Sequence, residues 1–219
     1  DVDMAEMMPE IVRASFLNQG QVCLCGSRIL IHESIYNSFV ETFLDAVTVM
    51  VVGDPSDETT ELGSLISQEH RDKVLSYIDL AEEEGGVILC GGGPPIGIPE
   101  AFEGGFWVSP TVIDGLTPDS RCATEEIFGP VLSITTYSTE EEAIELANDS
   151  EYGLSGGVWS GDEERAMRVA REIRTGQVSI NGGPFNISAP FGGYTFSGNG
   201  RELGVHGLEE FLETKAIQR

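Results

Sequence analysis

The chain has 219 residues, 40% of them hydrophobic, with 37 acidic against 12 basic side chains and a formal net charge of −25. That length and apolar content suffice for a buried core, whereas the charge excludes a nucleic acid held through its phosphates. No apolar run approaches the ~20 residues of a membrane span, so no membrane partner is expected either.

The elements expected from spacing alternate between strand and helix. A polar, glycine-bearing approach, Phe16-Leu17-Asn18-Gln19-Gly20-Gln21-Val22-Cys23, leads into a short apolar strand over Arg28 to His32. Ser34 caps a helix whose apolar residues Ile35, Phe39, Phe43 and Val47 recur near helical spacing. A loop over Gly53 to Asp57 follows, and Ser67 caps a second helix with Val74, Ile78 and Ala81 on one face. Val87 to Cys90 reads as a strand, and the glycine- and proline-rich stretch from Gly91 to Gly105 as a long surface loop. Phe106 to Ile113 and Val131 to Thr136 are further strands. Thr139 and Glu142 form a capping box for a helix that turns Ala143, Ile144 and Ala147 inward. A short strand at Val158-Trp159 precedes a helix capped by Asp162 and ended by Gly176, with Ala166, Val169, Ala170 and Ile173 on its apolar face. Val178 to Asn181 is the last strand. This alternation predicts crossover units and an α/β fold with a mostly parallel sheet and flanking helices.

The four cysteines, at 23, 25, 90 and 122, form no disulfide framework and point to a reducing, cytoplasmic setting. Cys23-Leu24-Cys25 has one intervening residue and no second ligand pair, so no metal site is expected. The acidic start is not a signal peptide, and the missing initiator Met suggests a trimmed or partial chain. Only two lysines, Lys73 and Lys215, stand among the 12 basic residues. Such acidity fits an organism with a salty interior or an ordinary acidic protein, and names no substrate.

An arbitrary cysteine is most often a buried structural one. Cys23 differs because Phe-x-Asn-Gln-Gly-Gln-x-Cys resembles the cysteine signature of the aldehyde dehydrogenase superfamily. Glu125-Glu126-Ile127-Phe128-Gly129-Pro130 resembles the family's Glu-Glu-Ile-Phe-Gly-Pro motif. Pro190-Phe191-Gly192-Gly193 and Ser197-Gly198-Asn199-Gly200-Arg201-Glu202 resemble its C-terminal motifs. Order and spacing agree across essentially all 219 residues.

The resemblance implies a catalytic domain over residues 1–196 and a C-terminal tail over 197–219 that serves return and oligomerisation. It implies a thiolate at Cys23 that adds to an aldehyde, loses hydride to NAD or NADP, and releases a carboxylic acid through a thioester. A polarisable thiolate suits that addition, and the cysteine's own N–H would help hold the oxyanion. By the same resemblance Glu126 accepts from the cofactor ribose and Phe128 packs near the nicotinamide. Lys73, with His70, lies in a region that can touch the ribose. A solvated acid, a core aromatic and a solvated helix face are the competing readings. Val22 and Phe191 would border the aldehyde, and the loop Gly182 to Ala189 would shape its pocket. Arg201 and Glu213 resemble a structural ion pair. Cys25 is a neighbour without a catalytic role, and His32 and His206 are structural or exposed. Thr195 stands where many relatives carry lysine.

Family members are roughly twice this length. Their dinucleotide-binding domain, their glutamate base in a Glu-Leu-Gly-Gly-Lys motif and their asparagine oxyanion donor match nothing in this sequence. The 219 residues alone are therefore expected to be inactive, and the full-length form to be a homo-oligomer, dimer or tetramer. Two other readings compete: a non-catalytic relative kept for oligomerisation or binding, and a thiol hydrolase using Cys23 with His70 or His206.

Overall fold

A computed structural model of the chain describes residues 2–219, so Asp1, the first residue of the expected catalytic domain, lies outside it. The described residues form two compact units, Val2–Ala147 and Asn148–Arg219. The expected boundary at 196/197 falls inside the second unit.

The first unit opens with α1 (Met4–Phe16), capped by the Asp3 carboxylate, which accepts the Ala5 N–H at 2.9 Å. Strand β1 (Arg28–His32) follows. Helix α2 (Tyr36–Thr48) buries Phe39, Phe43 and Val47, whereas Ile35 stays outside the core. Each such burial stabilises the fold by about 1.5–3 kcal/mol. Ser34 is not the cap of this helix. The His32 ring accepts the Ser34 N–H at 3.2 Å across a 3₁₀ turn, and that turn starts the helix two residues late. Helix α3 (Gln68–Glu83) is capped as expected, with Ser67 Oγ accepting the His70 N–H at 3.1 Å and Val74, Ile78 and Ala81 buried.

Strands β2 (Val87–Cys90), β3 (Thr111–Asp114) and β4 (Val131–Tyr137) join β1 in a four-stranded sheet of order β1-β4-β3-β2. Neighbours β1, β4 and β3 are parallel, and only the edge strand β2 is antiparallel. Strand β3 starts five residues later than its apolar run suggests. Phe106 and Ser109 spend their N–H groups on Ser64 Oγ (2.7 Å) and the Gly93 carbonyl (2.8 Å), and Pro110 has none to give. The core between α3 and the sheet holds Leu65, Val74, Ile78, Ala81, Ile113 and Val131. Short α4 (Arg121–Thr124) precedes β4, and α5 (Glu140–Asn148) follows it. Thr139 Oγ1 accepts the Glu142 N–H at 3.2 Å, while the Glu142 carboxylate reaches back to Ser138 N–H at 2.8 Å, one residue earlier than a strict capping box. The inward residues of α5 are half-buried.

The second unit pairs β5 (Tyr152–Gly153) antiparallel with β8 (Tyr194–Thr195), and β6 (Ser155–Val158) parallel with β7 (Gln177–Ile180). Helix α6 (Glu163–Glu172), capped by Asp162, connects β6 to β7 and buries Ala166. Gly176 does not end that helix. Ile173 leaves it in an extended conformation, and Gly176 serves packing, because a Cβ there would lie 1.6 Å from the Gly192 carbonyl oxygen. Helix α7 (Gly204–Glu209) is short and mostly exposed.

Candidate active site

The approach to Cys23 is a reversal built from three successive left-handed residues, Asn18 (φ 52°), Gln19 (φ 58°) and Gly20 (φ 69°). Each non-glycine in that region costs about 1–3 kcal/mol unless its surroundings impose it. The polar side chains of the run supply that support. Asn18 Nδ2 donates to the Gln21 carbonyl at 2.9 Å, and Gln21 Oε1 accepts the Ile66 N–H at 3.0 Å. Gln19, with its amide oriented to satisfy both ends, accepts the Gly63 N–H at 2.6 Å and donates to the Asn18 carbonyl at 2.7 Å. Phe16 closes the base of the reversal, fully buried and stacked on Phe43 at 6.4 Å.

Cys23 leaves this turn as an exposed free thiol, with Val22 half-buried beside it. A hydrogen bond from Cys25 N–H to the Val22 carbonyl (3.0 Å) closes the turn around the thiol. Among the described residues the Cys23 N–H has no acceptor, so it is available to an oxyanion. Cys25 is half-buried, and its Sγ lies 3.4 Å from the Leu17 carbonyl. Burial, aided by the neighbouring Cys23, pushes its pKa up to about 11. Cys122 is likewise pushed up to about 12 by burial, and burial also raises Cys90.

Glu125 to Pro130 form a loop laid along one face of α3. His70 Nε2 lies 2.7 Å from the Phe128 carbonyl and, since a carbonyl only accepts, donates to it. Lys73 Nζ donates to the Glu126 carbonyl at 3.1 Å. Tyr77 Oη donates to the Glu125 carboxylate at 2.5 Å, and Arg121 holds the same carboxylate at 2.8 and 3.0 Å. These two donors, Arg121 first, hold the Glu125 carboxyl down to about 2. Phe128 is half-buried in the left-handed region (φ 62°), its ring edge-on to His70 at 6.2 Å. The Glu126 side chain is exposed.

The two motifs meet. A Cβ on Gly20 would lie 1.9 Å from the Gly129 carbonyl oxygen, and one on Gly129 would lie 2.6 Å from a methyl of Val74. Only two glycines allow the cysteine approach, the Glu125–Pro130 loop and α3 to stack directly. Lys73, Glu126 and Phe128 are thus brought into one cluster, and the approach to Cys23 abuts it. Spacing alone did not mark Tyr77 and Arg121. The available signal was that residues 70, 73 and 77 share one helical face.

Phe191 belongs to the second unit. It exchanges backbone hydrogen bonds with Glu202 at 2.7 and 2.6 Å, and its ring packs edge-on against Phe185 at 5.9 Å. Arg201 does not pair with Glu213. Its guanidinium donates to the Gly193 and Gly200 carbonyls, both at 2.8 Å, and lies over the Tyr194 ring at 5.3 Å, so it staples the two glycine motifs together. Thr195 Oγ1 donates to the Glu151 carbonyl at 2.5 Å. His32 packs edge-on against Tyr137, and His206 is exposed beside Glu209. Among the described residues no group of His, Cys, Asp and Glu side chains is arranged to hold a metal ion. No helix there is long and apolar enough to cross a membrane.

A family model described as "Aldehyde dehydrogenase family" matches residues 1–217. The chain is similar to 2-aminomuconic semialdehyde dehydrogenase of Bos taurus, 43% identical over 99% of this chain and 45% of the relative. It is also similar to betaine aldehyde dehydrogenase of Bacillus subtilis (strain 168), 44% identical over 100% of this chain and 44% of the relative. Its fold matches a crystal structure of betaine aldehyde dehydrogenase from Staphylococcus aureus in complex with NAD+, with TM-score 0.94 and 43% identity over 98% of this chain and 42% of that one. A Mycobacterium tuberculosis aldehyde dehydrogenase complexed with NAD+ matches with TM-score 0.91 and 44% identity, over 96% and 43%. The chain therefore spans less than half the length of the relatives it matches.

Proposed function

The chain belongs to the aldehyde dehydrogenase family, and from that premise we propose that Cys23 is the nucleophile in oxidation of an aldehyde to a carboxylic acid. The observation that carries this reading is the exposed Cys23 thiol on a braced left-handed turn, beside its own N–H, which has no acceptor among the described residues. The thiolate adds to the carbonyl carbon, and the oxygen becomes an alkoxide that the Cys23 N–H stabilises. Collapse of this thiohemiacetal expels hydride and leaves a thioester on Cys23. Water then adds to the thioester carbon, the C–S bond breaks, and carboxylate and thiol are released. Val22, half-buried beside the thiol, borders the aldehyde in this reading.

The Glu125–Pro130 loop fits the ribose of a nicotinamide cofactor, NAD or NADP. The Glu126 carboxylate faces solvent with two acceptor oxygens, enough for a vicinal diol, and Phe128 offers a half-buried aromatic face two residues further on. When bound, that cofactor supplies the hydride acceptor. What this chain contributes is orientation: Glu126 fixes the sugar and Phe128 excludes water beside it. Four unpaired thiols support a reducing, cytoplasmic setting.

The chain spans less than half the length of the relatives it matches, and we infer that these 219 residues alone do not complete turnover. The test is aldehyde-dependent cofactor reduction by this chain and by a longer form carrying a family dinucleotide-binding half, each with Cys23→Ala. Loss of about 10⁴-fold or more is expected in the long form. Activity that survives Cys23→Ala there overturns the thiol mechanism, and robust turnover by the short chain overturns the inferred incompleteness.

A second reading concerns assembly. Val205, Leu208, Phe211, Leu212 and Ile217 are all exposed in the C-terminal segment, at 71%, 59%, 88%, 61% and 84%. Such a row supports an associating segment and a homo-oligomer of the longer form. Light scattering on that form checks it; a monomer that persists at high concentration contradicts it.

A further inference from the structure

We propose that α3 is a template that sets the cofactor loop, with His70 and Lys73 as positioning residues that grip its backbone. The idea rests on the reading of Glu126 as the ribose acceptor and assigns the residues that hold it in place.

Residues 70, 73, 74 and 77 line one strip of α3, and each meets a different residue of the loop. His70 donates to the Phe128 carbonyl at 2.7 Å and Lys73 to the Glu126 carbonyl at 3.1 Å. Val74 packs on Gly129, and Tyr77 donates to the Glu125 carboxylate at 2.5 Å. The strip therefore spans five consecutive loop residues. Its donors engage two main-chain carbonyls and the one carboxylate, Glu125, that Arg121 also takes. Glu126, between them, contributes only its carbonyl to α3, and its carboxylate stays in solvent. A grip on carbonyls fixes the backbone while leaving the intervening side chain free for a ligand.

The grip also accounts for Phe128. A left-handed phenylalanine is strained and persists only where neighbours over-determine it. Its carbonyl is tied to His70 and its successor Gly129 is wedged between Val74 and Gly20. With both sides held, φ 62° is imposed, and the ring is turned toward His70. Because Gly129 also abuts Gly20, the template fixes the loop against the approach to Cys23.

The expected readouts separate positioning from mere stability. In the 219-residue chain without cofactor, His70→Ala is expected to raise hydrogen exchange across residues 125–129 several-fold, with protection of the β1–β4 pair unchanged. In the longer form it raises the cofactor KM about tenfold with a smaller change in kcat, the scale of one lost hydrogen bond. His70→Gln, whose amide nitrogen reaches the same carbonyl, restores both. Unchanged exchange in His70→Ala overturns the proposal, as does failure of His70→Gln to restore protection where His70→Ala has removed it. Glu126→Gln separates the two readings. If it leaves the cofactor KM unchanged while His70→Ala still loosens the loop, Glu126 is not the ribose acceptor and the template survives as a scaffold only.

Discussion

Cys23 and Cys25 sit two residues apart, yet their surroundings make them different reagents. Cys23 is exposed, while burial pushes the Cys25 pKa up to about 11. At pH 8 such a group is only roughly one part in a thousand thiolate, and the thiolate is the species that reacts. Iodoacetamide at that pH is expected to modify Cys23 well before Cys25 or Cys122, read by peptide mass spectrometry; equal labelling of Cys23 and Cys25 contradicts this. The string Phe16 to Cys23 singles out Cys23 in the sequence, and the structure leaves its thiol exposed. The protection of Cys25 was not, because it depends on what covers it. Lys73 illustrates the same limit. Its partner, the main-chain carbonyl of Glu126 in the Glu125–Pro130 loop, leaves no mark in the sequence.

At the scale of elements, most helices and strands followed from caps and periodicity, as for α3 with Ser67 and its stripe Val74, Ile78 and Ala81. The misses have two causes, competition for backbone hydrogen bonds and close backbone packing. Phe106 to Pro110 reads as strand by composition, but its N–H groups bond to loops. Gly176 reads as a helix stop, but it is a close-approach site. Gly20 is the sharpest such contact. Gly20→Ala places a Cβ 1.9 Å from the Gly129 carbonyl at φ 69°, and is expected to cost about 2–5 kcal/mol. Denaturant unfolding measures it, and a cost below about 1 kcal/mol contradicts the close packing. The Glu125 latch carries a pH signature. Its carboxyl is held down from 4.5 to about 2, so its contribution is present above pH ~4.5 and is lost as pH falls toward 2. Arg121 and Glu125 are 59% and 40% exposed, so the effect on global stability is small. Hydrogen exchange of residues 125–129 is expected to rise over that interval, and Glu125→Gln to abolish the dependence.

For the molecule as a whole, the net charge of −25 is the dominant long-range term. Self-repulsion acts over ~30 Å at 0.01 M salt but only ~3 Å at 1 M, so added salt favours the compact state. Thermal unfolding of the chain is expected to shift upward by about 5 °C or more between those salt levels; a flat or falling midpoint contradicts charge as the limiting factor. By itself the sequence determined the family and the α/β alternation, because each is written in local residue order: a cap, a period, a motif. Tertiary structure alone decided that the cysteine approach, the Glu125–Pro130 loop and α3 stack into one cluster. Sequence separations of about fifty residues between α3 and the loop, and over a hundred between Gly20 and Gly129, are closed only by folding. The contacts that close them are carbonyls and missing Cβ atoms, which look alike in every sequence until the backbone brings them together.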